Sequence, residues 1–213
     1  MMVDDYSARA GEAFEGECDE IVRSGDYQKF VRALAAANDA TPENRKCPDQ
    51  YVGKIDEIVQ CGYFPTRVSS RERTDDACVI LILESPHTHE FGEFPGPAKG
   101  HTGANIARFI ASVNGLEGKT AFGLVLMNAV QYQCSLGLPT ALYRDRVFRS
   151  VWKKGGRDCF RQRLRKMHQP GDLVVNSCTR GKPKCGELAL RDLVREELEG
   201  AFPDIDVMQR AHP

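Results

Sequence analysis

The sequence predicts an α/β fold, a three-layer αβα arrangement around a small parallel sheet of about four strands, with an N-terminal helical extension. Three observations predict it. From residue 79 onwards, short apolar runs alternate with stretches of helical periodicity, the pattern of parallel strands joined by crossover helices. The first run, residues 79–83, reads Val-Ile-Leu-Ile-Leu with no polar alternation, as in a strand buried on both faces. Each run ends on polar residues: Glu84, then Asn128, then Asn176 and Ser177, then Gln209 with His212 just beyond. In a parallel sheet these ends share one edge, and open α/β sheets bind ligands outside it.

Residues 1–70 read as a helical extension packed on the core, and residues 71–213 as the α/β domain. The extension shows an amphipathic segment around Tyr27, Phe30, Val31 and Leu34, a break at Thr41-Pro42, and a second helix over 48–62. A polar turn over 67–76 leads into the strand at 79–83, which Glu84-Ser85-Pro86-His87 stops. A loop rich in Gly and Pro follows, then a helix over 102–113 with Ile106, Phe109, Ile110 and Val113 on one face. The remaining elements are a strand over 122–127, helices over 142–152 and 159–168, a strand over 173–175, a helix over 187–198 closed by Gly200, and a strand over 205–208.

With 213 residues, 41% of them hydrophobic, the chain can bury a core. No apolar run has the length of a membrane span, and the acidic first 20 residues do not form a secretion signal. A soluble, cytoplasmic monomer is expected. The eight cysteines are scattered without a Cys-x-x-Cys pair, so neither a metal nor a cofactor is expected. The net charge of −1 hides an asymmetry: residues 1–60 hold thirteen acidic and seven basic side chains, whereas residues 144–184 hold thirteen basic and three acidic. A basic block of that kind suits a polyanion such as nucleic acid.

Glu84 is the candidate catalytic group, a carboxylate at the end of a core strand. The turn Gly100-His101-Thr102-Gly103 opens a helix, where free N–H groups meet anions and His101 or Thr102 can cap; Gly100, Thr102 and Gly103 are candidate phosphate contacts. Ser177, Thr179, Arg180, Lys182 and Lys184, after the third strand, are further candidates, with Arg161, Arg163, Arg165 and Lys166 on the preceding helix.

Four segments carry a resemblance. Leu83-Glu84-Ser85-Pro86-His87 is similar to the first motif of the uracil-DNA glycosylase superfamily, and residues 97–103, Pro-Ala-Lys-Gly-His-Thr-Gly, to a following segment of its thermophile-type members. Leu126-Met127-Asn128-Ala129-Val130 resembles its base-reading strand end, and residues 207–213 resemble the strand leading into its His-Pro-Ser motif. The resemblance spans residues 78–213 and implies hydrolysis of an N-glycosidic bond of uracil or a related base in DNA. Ser85, Pro86, His87, Phe94 and Asn128 would then bind substrate, and His212 would act with Glu84. The chemistry fits those residue types. Glycosidic cleavage builds positive charge on the sugar and negative charge on the base, so it needs an anion, a positioned water and donors to the base. Glu84 supplies the first two functions, the Asn128 amide complements the edge of uracil, and His212 donates to a base carbonyl.

The sequence also departs from that pattern. Ala98 stands where the family stacks an aromatic, leaving Phe94 or Phe91 to substitute, and the four-cysteine iron–sulfur set is missing. The sequence stops at Pro213, before the segment that wedges into duplex DNA in that family: either the chain is truncated or it does not wedge open duplex DNA in that way, and in the second case single-stranded or locally unpaired DNA is the expected partner. The competing readings are a non-catalytic nucleic-acid or nucleotide binding module on the same fold and a metal site at His87, His89, Glu90 and His101. Ser85 lies in no Gly-x-Ser-x-Gly elbow, which argues against an esterase.

Overall fold

A computed structural model describes residues 46–134 and 141–213. The amphipathic segment at residues 27–34 and the Thr41-Pro42 break lie outside the described residues. The elements are β1 (Gln50–Lys54), α1 (Ile55–Cys61), β2 (Val68–Ser69), β3 (Cys78–Leu83), α2 (His101–Phe109), β4 (Gly123–Asn128), α3 (Ala141–Val151), α4 (Arg157–Met167), β5 (Leu173–Asn176), α5 (Leu190–Ala201) and β6 (Val207–Gln209). They form an α/β fold with helices on both faces of one sheet.

The sheet has six strands in the order β2-β1-β4-β3-β5-β6, so it is larger than the four expected and mixed in direction. The four expected strands are its parallel part: β4, β3, β5 and β6 run the same way, with Leu83 opposite Asn128 and Asn176 opposite Gln209. Of the two extra strands, β1 comes from the stretch expected to be helical and β2 from the polar turn expected over 67–76. β1 pairs antiparallel with β4 and with β2, and only residues 55–61 of the expected 48–62 helix are helical. Tyr51 and Val52 favour a pleated, packed surface. Gly53, at φ +109°, holds a conformation that no helix contains. Gly62 ends α1 in the left-handed conformation, its N–H bonded to Ile58 O.

Side chains alternate across the parallel strands and fill two cores. Val79, Leu81, Leu83, Leu124 and Leu126 pack against Ile55, Ile58, Ile106 and Ile110 of α1 and α2 and the turn that follows. Ile80, Ile82, Val125 and Met127 pack against Phe148, Phe160, Leu164, Val194 and Leu198 of α3, α4 and α5. Trp152, stacked on Phe148 at 5.6 Å, sits in the kinked turn that joins α3 to α4. The last helix begins at Leu190 rather than 187 and includes Gly200, which was expected to close it. The shift has a local cause: Glu187 is held in a turn with Lys184 through both its backbone N–H and its carboxylate.

One buried ion pair fixes where the neighbouring strands β3 and β5 start. Asp172 accepts from Arg73 Nη1 at 2.7 Å, from Cys78 N at 2.8 Å and from Gln169 N at 2.8 Å. Removing that carboxylate strands a buried guanidinium and two amides. Asp172→Ala is expected to lose about 3–5 kcal/mol, read as a lower urea midpoint at unchanged m-value.

Strand order places the site. From β3 the chain crosses to β4 over the α2 face; from β4 it returns past β3 to β5 over the α3 face. The carboxyl ends of β3 and β5 therefore flank the point where the winding reverses, where such sheets form a ligand crevice. Among the described residues no helix is long and apolar enough to cross a membrane.

Candidate active site

Glu84 stands at that point. Alternation along β3 sends Ile80 and Ile82 to the α3 face, and Glu84 continues in that direction, lying within electrostatic reach of Cys134 and Cys178. It is 4% exposed. Its Oε1 accepts from the Ser85 hydroxyl at 3.1 Å, and its Oε2 lies 3.5 Å from Arg144 Nε. Burial lifts its pKa to about 8, against the lowering influence of Arg144 and Ser85.

Arg144 is the group that sequence reasoning missed. It projects from the first turn of α3, is held 3.0 Å from Asp145 Oδ1, and is 16% exposed. His212 is exposed, with Nδ1 3.0 Å from Pro213 O, yet its pKa is lowered by partial desolvation and by the Arg144 charge. Arg144 of α3 thus lies beside Glu84 at the end of β3, and its charge also reaches His212 of the C-terminal segment. Within a run of thirteen basic residues, nothing in the sequence marks Arg144 out.

The Asn128 side chain is committed elsewhere. Paired with Leu83, it faces the α2 side, 2% exposed, and its Nδ2 donates to Glu90 Oε2 at 3.3 Å and to Cys47 Sγ at 3.5 Å. Its Oδ1 is buried without a partner. Glu90 Oε1 accepts from Ala98 N at 2.9 Å, and burial raises the Glu90 pKa to about 7. Arg67 closes the same network: Nη1 donates to Gln50 Oε1 and Pro97 O, both at 2.9 Å, and Nη2 donates to Ala98 O at 3.2 Å. The loop between β3 and α2 is therefore pinned from beneath.

Ala98 is part of this anchorage. It is buried and takes φ +56°, and Gly103 fits against it because a Cβ there would come 1.9 Å from the Ala98 carbonyl oxygen. Phe94, the expected stacking residue, is 74% exposed at the outer part of the loop. Pro86 is buried and His87 half-buried, its ring 5.0 Å from that of His89 and its Nδ1 accepting from His89 N at 3.4 Å.

The expected phosphate contacts divide. Gly100 is the N-cap of α2; neither His101 nor Thr102 caps it, and Gly103 N and Ala104 N both bond Gly100 O. This leaves the His101 and Thr102 amides without a helical acceptor. Arg180, Lys182 and Lys184 are exposed. Thr179 is occupied in the turn, accepting from Gly181 N at 3.3 Å, and Lys182 N donates to Asp145. This contact docks the 179–182 loop beside Arg144. Ser177 is 1% exposed and lines a cavity of about 180 Å³ on the α2 side, together with Leu81, Ile106, Val175, Ala211 and Pro213.

The preceding helix is not a free cationic face. Arg161 pairs with Glu197 at 2.5 Å, while Arg163 pairs with Asp49 at 2.6 Å and donates to the Asn128 and Ala129 carbonyls. Arg165 and Lys166 are exposed. Among the described residues no group of three or more His, Cys, Asp or Glu side chains is placed to hold a metal ion. Of the four considered for that role, Glu90 has both carboxylate oxygens engaged inside the protein.

Glu84 and Glu90 make stability fall with rising pH. Both bind a proton more tightly folded than unfolded, where 4.5 is the reference value for each. Their stabilising contribution is complete below that value and is lost as pH rises through about 7 for Glu90 and about 8 for Glu84. Urea unfolding at about pH 9 is expected to show a loss on the order of 5 kcal/mol relative to about pH 5.5.

No family model, curated protein or solved structure matches the chain.

Proposed function

We propose that the protein is a monofunctional DNA glycosylase that hydrolyses the N-glycosidic bond of uracil or a related deaminated base, with Glu84 activating the water. The observation that carries this reading is the position of Glu84: a buried carboxyl at the carboxyl end of a central parallel strand, between a hydroxyl and a guanidinium, with a histidine in the same field. Ionised, Glu84 takes a proton from water as it attacks the sugar and stabilises the cationic sugar. Arg144 and His212 face the negative charge that develops on the leaving base. Exposed Arg180, Lys182 and Lys184 supply phosphate contacts for single-stranded or locally unpaired DNA.

A second reading, a non-catalytic binding module for nucleic acid or nucleotides, is favoured by Asn128. Its amide N–H groups already serve Glu90 and Cys47, so in this arrangement it is not free to read a base edge. One assay separates the two: release of free base from single-stranded oligonucleotides carrying uracil or other deaminated bases. Release supports the enzyme; tight binding without release on every substrate supports the module.

A further inference from the structure

The carboxyl edge of the sheet holds a second feature, which the Glu84 group does not use. We infer that the cavity between α2, β3 and β5 is a binding site for a small single-ring aromatic molecule, neutral or bearing one negative charge, separate from Glu84. Four properties point to this occupant.

The first is size. The cavity measures about 180 Å³, and a dry apolar cavity of about 150 Å³ in an unrelated protein admits benzene. The second is lining. Leu81, Ile106, Ile110, Val113 and Val175 give hydrocarbon walls and Phe109 an aromatic one, while Ser177 is a deeply buried polar residue among them. Mostly apolar walls with a few placed polar groups are what small-molecule sites present. The third is place, since β3 and β5 flank the reversal point of the sheet.

The fourth is charge. No lining residue is acidic, and Arg210 is the cation among them. Its Nε and Nη2 donate to Asn114 O and its Nη1 to Gln209 O, leaving two of its five N–H donors for a ligand. A cationic ligand would meet like charge there; an acceptor or a carboxylate would not. Glu84 points to the opposite face of the sheet, and neither it nor Arg144 belongs to the lining.

The test is titration of the full chain with benzoate, phenol and benzylammonium, followed by NMR of methyl groups. Saturable shifts at Ile106, Ile110, Val113 and Val175 with benzoate or phenol are expected, with benzylammonium weaker by about tenfold or more. Val113→Trp, which fills the cavity from a half-buried wall, and Ala211→Trp, which blocks it from an exposed one, should each weaken binding about tenfold. Glu84→Gln should leave binding unchanged. The proposal is overturned if none of the three binds, if benzylammonium binds as tightly as benzoate, if both tryptophan variants bind like the parent, or if Glu84→Gln abolishes binding. None of these results bears on base release, so the glycosylase reading stands or falls separately.

Discussion

Glu84→Gln is expected to lower single-turnover base release by about 10²–10⁴-fold, the usual contribution of a positioned general base, while leaving the fold intact. The two halves of this expectation have one cause. Burial holds the Glu84 pKa at about 8, so near neutral pH most molecules carry the uncharged acid. An amide of the same shape replaces that acid without removing a charge, and its oxygen can still accept from Ser85. The ionised minority does the chemistry, and the amide has no ionised form. Above about pH 8 the parent must hold a buried carboxylate that the variant lacks, so the variant should there be the more stable of the two. Base release and urea unfolding measured on the same samples check both parts. Undiminished release would remove Glu84 from the mechanism, and unfolding of the variant near neutral pH would contradict the neutral carboxyl.

The parts of this protein legible in its sequence are those decided by neighbouring residues. The uninterrupted run from Val79 to Leu83 lies in the two-faced core, and four polar strand ends do share one sheet edge. Long-range pairing was not legible. Nothing in Gln50-Tyr51-Val52 announces that β4 offers an open edge, so an acidic, helix-rich neighbourhood outweighed two strand-forming residues. Asn128 shows the same limit at the site. Its position after β4 was readable, but its engagement by Glu90, 38 residues earlier, depends on how the β3–α2 loop folds under itself. Ala98 read as a missing aromatic, whereas it is a buried turn whose amide and carbonyl are held by Glu90 and Arg67. Within the basic block, the pairing of Arg161 and Arg163 was hidden for a related reason: their partners are acids at positions 197 and 49, remote in sequence.

Arg144→Gln should move the pH dependence of base release towards alkaline pH. In the parent, kcat/KM is expected to rise with pH and level off above about 8, because the free protein must first ionise Glu84. Desolvation raises that pKa, and Arg144, 3.5 Å from Oε2, is the nearest charge opposing it. Without the guanidinium, the carboxylate must ionise with only Ser85 in support and Asp145 repelling it. A rise of about one to two pH units in the midpoint is expected, and with it a fall of about 10–100-fold in kcat/KM near pH 7. Raising the pH should recover part of that fall, and the remainder measures what Arg144 does for the departing base. A purely structural role predicts something else: a uniform drop at every pH with an unmoved midpoint. Arg144→Lys separates the two contributions, since it restores a charge near Glu84 without the planar guanidinium that Asp145 holds in place. Its midpoint should return towards that of the parent.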